Sequence, residues 1–72
     1  MRTRSTTKYI HEGAYVAEVI VDLLEDDHVW APYLSLDDVR KLESVRQALR
    51  KGDFAAASKL SKVYEMKPMA AE

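Results

Sequence analysis

Apolar side chains alternate through residues 14–24, Ala-Tyr-Val-Ala-Glu-Val-Ile-Val-Asp-Leu-Leu, and the β-branched content marks a strand. Side chains of a strand point to opposite faces in turn, so Tyr15, Ala17, Val19, Val21 and Leu23 share one face. Ala14, Val16, Ile20 and Leu24 make the other face apolar too, with Glu18 and Asp22 as its two charges. Residues 6–11 are short and β-favouring, and Glu12-Gly13 supplies a turn, so the two segments predict a hairpin. After the polar turn Glu25-Asp26-Asp27, residues 28–34 predict a further strand, interrupted by Pro32. Proline donates nothing to a ladder, so this strand is an edge or ends near Ala31.

The period then changes. Ser35-Leu36-Asp37-Asp38 has the chemistry of a helix start: a capping serine, an acid at the third helical position, and negative charge where the dipole favours it. The helix is expected to run to about Arg50, with Val39, Leu42, Val45 and Leu49 as its apolar stripe. Gly52 suits a left-handed C-cap and Asp53 an N-cap, opening a second helix from Phe54 to about Ser61 whose inward residues are Phe54, Ala57 and Leu60. Residues 63–67 alternate before the breaker Pro68 and predict a final strand, with continued helix as the competing reading. The fold class is therefore α+β, a small antiparallel sheet in the order β-β-β-α-α-β with a two-helix hairpin on one face. Residues 7–68 form the single domain, 1–6 a disordered basic arm, and 69–72 a disordered tail.

Size changes this picture. In 72 residues without cysteine there is one thin core and no disulfide or zinc-thiolate staple, which leaves oligomerisation as the common device for extra stability. Two short helices cover one side of a small sheet, so the second apolar face is expected to meet another subunit or a partner. Both arguments predict a homodimer. Charge adds a polarity: from Tyr9 to Val39 there are eight acids and no Lys or Arg, whereas Arg40 to Lys67 carries eight basic residues against three acids. With Arg2, Arg4 and Lys8 at the front, this sorting favours head-to-tail complementarity within or between subunits, or an acidic partner. No apolar run of about 18 residues and no signal-peptide pattern is present, so the expectation is a cytoplasmic protein without a membrane role.

The chemistry-bearing residues are sparse. Glu25, Asp26, Asp27 and His28 gather oxygen and imidazole ligands, but the calcium-loop spacing and a His pair one turn apart are both missing, so no metal or other cofactor is expected. His11 and His28 have no serine or cysteine in an exposing turn to activate, and no enzyme activity is expected. Trp30 fits the core beneath the helices better than an interface, and Tyr33 an interface better than the core. The expected partner surface is Val16, Ile20, Trp30 and Tyr33. Arg2, Arg4, Arg46, Arg50 and Lys51 are the expected electrostatic contacts. The same cations could hold phosphates through counterion release, but Phe54-Ala55-Ala56-Ala57 offers no side chain for base readout, so nucleic acid is the lesser alternative.

Gly13-Ala14-Tyr15-Val16-Ala17-Glu18-Val19 resembles the second-strand signature of HicB-like antitoxins, a glycine turn leading into Tyr-x-Ala-x-Val. The resemblance implies a sheet-plus-helix domain that binds and inhibits a small toxin encoded beside it, usually as an oligomer. It covers only this segment; the Pro-Asp-Leu-Pro-Gly stretch that normally follows is replaced by Ile20-Val21-Asp22-Leu23-Leu24. The functional expectation is thus a small non-catalytic protein-binding module, antitoxin-like, acting through oligomerisation. A nucleic-acid-associated regulator using the basic arm and hairpin is the alternative.

Overall fold

The computed structural model describes residues 2–28 and 30–69 of the chain. Strand β1 (Arg2–Glu12) pairs antiparallel with β2 (Tyr15–Glu25) along its whole length, from Arg2 opposite Glu25 to Glu12 opposite Tyr15. Gly13 at φ 61, followed by an Ala14 without positive φ, gives the type II′ arrangement whose twist matches the flanking strands. Strand β3 (Tyr33–Leu34) and strand β4 (Lys62–Glu65) both pair antiparallel with β2 on the side away from β1. They sit at its two ends, β3 against Leu23 and Leu24 and β4 against residues 15–18. The chain is α+β in the expected order, and β2 is the central strand.

Between β3 and β4, a stretch of β2 has no strand beside it among the described residues, and helix α1 (Leu36–Lys51) sends side chains into the gap. The Asp22 N–H donates to Asp38 Oδ2 at 2.8 Å, and Lys41 Nζ donates to the Ile20 carbonyl at 2.9 Å. Backbone groups that a ladder would have used are thus satisfied without a strand.

The helix termini carry the caps that their residues suggest. Ser35 Oγ accepts from the Asp38 N–H at 3.1 Å. At the other end Gly52 is left-handed, φ 73, and the Gly52 and Asp53 N–H groups donate to the Leu49 and Ala48 carbonyls at 3.1 and 2.8 Å. This is the Schellman closure. Asp53 Oδ1 in turn accepts from the Ala56 N–H at 3.1 Å and opens helix α2 (Phe54–Leu60).

Both helices lie on the β2 face formed by Tyr15, Ala17, Val19, Val21 and Leu23. Val19, Val21 and Val45 are fully buried there, joined by Ile10, Ala17, Leu49 and Ala57. The Tyr15 ring meets Phe54 with centroids 4.3 Å apart. The result is one sheet layer and one helix layer, 51 × 31 × 14 Å, with a radius of gyration of 14.8 Å. A compact chain of this length would have about 11 Å. The thin dimension is that of a two-layer slab whose second sheet face is bare among the described residues.

Several expectations are corrected. Arg2 to Thr6 is strand, not a disordered arm, because its main chain pairs with the far half of β2 and its cations reach Glu25. The strand expected over residues 28–34 is only Tyr33–Leu34, after Pro32 rather than before it, which fits a residue that cannot donate to the ladder. Trp30 does not plug the core: it is 100% exposed, in the loop leading to β3. The space beneath the helices is filled by Ile10, Val19, Val21, Val45 and Leu49 with the two alanines Ala17 and Ala57. Val39 is half exposed because the first turn of α1 stands beside β2, sending Asp38 and Lys41 to its main chain; Val45 and Leu49 are the buried residues of the stripe, flanked by the partly buried Leu42 and Ala48. In α2 Ala57 is buried as expected, while Phe54 and Leu60 are only partly covered. The final strand is present as Lys62–Glu65. In the expected tail, Met69 is exposed, and residues 70–72 lie outside the described residues.

Candidate partner-binding surface

The bare face of the sheet is built by parity. Pairing in β1 and β2 sets Tyr9 opposite Glu18, Thr7 opposite Ile20 and His11 opposite Val16, while β4 sets Tyr64 opposite Val16 and Lys62 opposite Glu18. Tyr9 is 62% exposed, Ile20 52% and Tyr64 43%. At the other end of the same face Leu24 pairs with Tyr33, itself more than one third exposed. Aromatic and branched side chains on a pleated surface without cover are what a protein interface uses, since they bring large area at little entropic cost.

Charge on this face is acidic at its centre. Glu18 lies between Tyr9 and Lys62 in the cross-strand row, and Asp22 Oδ1 accepts from Ser5 Oγ at 3.2 Å. Lys62 stands opposite Glu18 and Ser5 donates to Asp22, so both carboxylates are already partly compensated, and basic groups or hydrogen-bond donors on a covering surface would complete them.

Of the expected surface residues, Val16, Ile20 and Tyr33 belong to this one face. Trp30 stands apart in the loop before β3, beside a polar recess of about 310 Å³ lined by Arg2, Glu25, Asp26, Asp27 and Pro32. Sequence reading did not single out Tyr9 or Tyr64; their odd and even positions would have joined them to the face only once the hairpin and β4 registers were known.

The expected electrostatic residues fall into two groups at opposite ends of the hairpin. Arg2 and Arg4 approach Glu25 at 3.6 and 3.4 Å, whereas Arg50 approaches Glu12 at 3.3 Å beside the β1–β2 turn. The length of β1, roughly 34 Å at 3.4 Å per residue, separates them. Arg46 approaches Glu43 on its own helix at 3.8 Å, and Lys51 is exposed at the helix end. The sorted charges of the sequence are thus partly consumed within the chain: the basic front and back clamp the acidic hairpin. Exposed pairs of this kind contribute little to stability.

In the acidic turn after β2, Glu25 serves the arginines and Asp26 Oδ1 accepts the His28 N–H at 3.0 Å, closing the turn on itself. Among the described residues no three His, Cys, Asp or Glu side chains converge to hold a metal, and no helix is long and apolar enough to cross a membrane. Comparison with protein-family models, with curated proteins and with solved structures finds no match to this chain.

Proposed function

We propose that this chain is a non-catalytic protein-binding module that works as a homodimer and holds a small protein partner on its open sheet face, an antitoxin-like regulator. The observation that carries the reading is Ile20, half exposed at the centre of the central strand, with Tyr9 and Tyr64 uncovered further along the same face. Central-strand positions are normally covered on both sides or polar on one. The sheet face measures roughly 34 by 14 Å, on the order of 500 Å² with its polar residues included, from strand rise and spacing. Its apolar members, Tyr9, Val16, Ile20, Leu24, Tyr33 and Tyr64, are interrupted by Glu18, Asp22 and Lys62.

The HicB-like segment adds less. Its Tyr15, Ala17 and Val19 belong to the helix-covered face, so packing alone accounts for the motif. The partner's chemistry follows from the face: apolar groups to meet Ile20 and the tyrosines, and basic groups to meet Glu18 and Asp22. The nucleic-acid alternative gains no specific observation, since Arg2, Arg4, Arg46 and Arg50 each have a carboxylate within 4.0 Å.

Co-expression with the product of the adjacent gene tests the reading. A complex that survives gel filtration with the wild type and is lost with Ile20→Lys is expected, because a lysine there keeps the fold, between Glu18 and Asp22, while blocking the face. No complex, or one indifferent to Ile20→Lys, would refute it.

A further inference from the structure

The outer edge of β1 carries the second unsatisfied surface of the molecule. Glu12 and Tyr15 flank a two-residue turn and so form a hydrogen-bonded pair, which makes the even-numbered residues of β1 the ones bonded to β2. The odd-numbered residues Thr3, Ser5, Thr7, Tyr9 and His11 then direct both N–H and C=O away from the sheet. The same parity on β2 sends the main chain of Ile20 and Asp22 to the opposite side, where Lys41 and Asp38 take it. Side chains thus take one main-chain group of each of these two residues. Among the described residues nothing closes the edge of β1, which is eleven residues long and free of proline. A long free edge is a template for another strand.

We infer that this edge pairs antiparallel with β1 of a second copy, Thr7 opposite Thr7, joining two sheets into one. Three observations select the occupant and the register. Main-chain parity demands that odd residues meet odd residues, so only every second register is open. Of these, an axis on Thr6 sets Arg4 against Lys8, and an axis on Lys8 sets Lys8 against itself. The axis on Thr7 pairs all eleven residues, sets Arg2 of each copy against Glu12 of the other, and brings no like charges directly opposite. About ten main-chain hydrogen bonds result, two at each odd-numbered pair.

This pairing deepens the homodimer of the proposed function and rests on it. Its axis is normal to the sheet, so both helical hairpins fall on one side and both open faces on the other. Edge pairing therefore makes one continuous open face of twice the extent of the single chain's. A dimer made instead by packing the open faces together would enclose Glu18 and Asp22 of both copies, against Lys62 and His11 as the nearby donors.

The chain has no cysteine, so a single introduced thiol reports the seam cleanly. Hydrogen-bonded pairs stand about 5.5 Å apart at Cα, within disulfide range. Thr3 of one copy lies roughly 27 Å from Thr3 of the other in this register. With diamide as oxidant, Thr7→Cys is expected to form a disulfide-linked dimer at least tenfold faster than Thr3→Cys. Thr7→Pro, at a position whose N–H makes no bond within the chain, is expected to halve the mass seen by light scattering while keeping its circular dichroism. Equal linking of the two thiols, or a folded Thr7→Pro variant that stays dimeric, overturns the inference. If Ile20→Lys separates the subunits and Thr7→Pro does not, the seam is the open face, and the edge pairing fails while the homodimer stands. A wild type that is monomeric at millimolar concentration removes both, leaving partner capture to the co-expression test.

Discussion

Truncating Val21 and Ile20 to alanine, one at a time, separates the two faces of β2 with the smallest possible perturbation. Val21 is 1% exposed and sits under the helices; Ile20 is 52% exposed on the other side. Val21→Ala deletes two carbons worth about 0.8 kcal/mol each in transfer, and leaves a cavity that the packed valines cannot fill, for a total of about 2–3 kcal/mol. Ile20→Ala deletes three carbons, but half of that surface already meets water and no cavity forms, so the loss is at most about 1.2 kcal/mol. With an unfolding entropy near 2.1 cal/mol/K per residue, a chain of 72 residues moves roughly 7 °C per kcal/mol. Thermal unfolding followed by circular dichroism at fixed protein concentration should therefore show a fall of roughly 14–20 °C for Val21→Ala and no more than about 8 °C for Ile20→Ala. Equal losses, or a larger loss at Ile20, would refute the assignment of faces.

Two further substitutions test local devices. Gly52→Ala should cost about 1 kcal/mol, because φ is 73 and an added Cβ meets nothing within 4 Å, so backbone strain alone acts; a melting temperature unchanged within error would reject the Schellman closure. Asp38→Ala removes the acceptor of the Asp22 N–H in the gap between β3 and β4, and should lower stability by about 1–2 kcal/mol and speed exchange of the Asp22 amide; an Asp22 amide equally protected in the variant would contradict the contact.

Much of the architecture was legible because it follows from local chemistry. Ser35, Gly52 and Asp53 each act through main-chain groups within a few residues, and the alternation of Tyr15, Ala17, Val19 and Val21 needs only a two-residue period. What escaped depends on contacts distant in sequence. Arg2 to Thr6 has no apolar pattern and becomes strand only because β2 extends beside it. Asp38 and Lys41 resemble ordinary surface residues of a helix, and their work on the β2 main chain exists only once α1 lies in the gap. Trp30 misled for a related reason: hydrophobicity argues for burial, but its loop lies before β3, away from a core already filled by small branched side chains. Within the candidate surface, Val16, Ile20 and Tyr33 were visible from strand parity, whereas Tyr9 and Tyr64 needed the registers.

Solvent paramagnetic relaxation of the side-chain methyls, measured on the purified protein without a partner, tests the bare sheet face most directly. The Ile20 methyls should relax strongly with a soluble gadolinium agent while those of Val19 and Val21 stay protected, in the edge-paired dimer as in the single chain. An Ile20 as well shielded as its two neighbours would contradict the account.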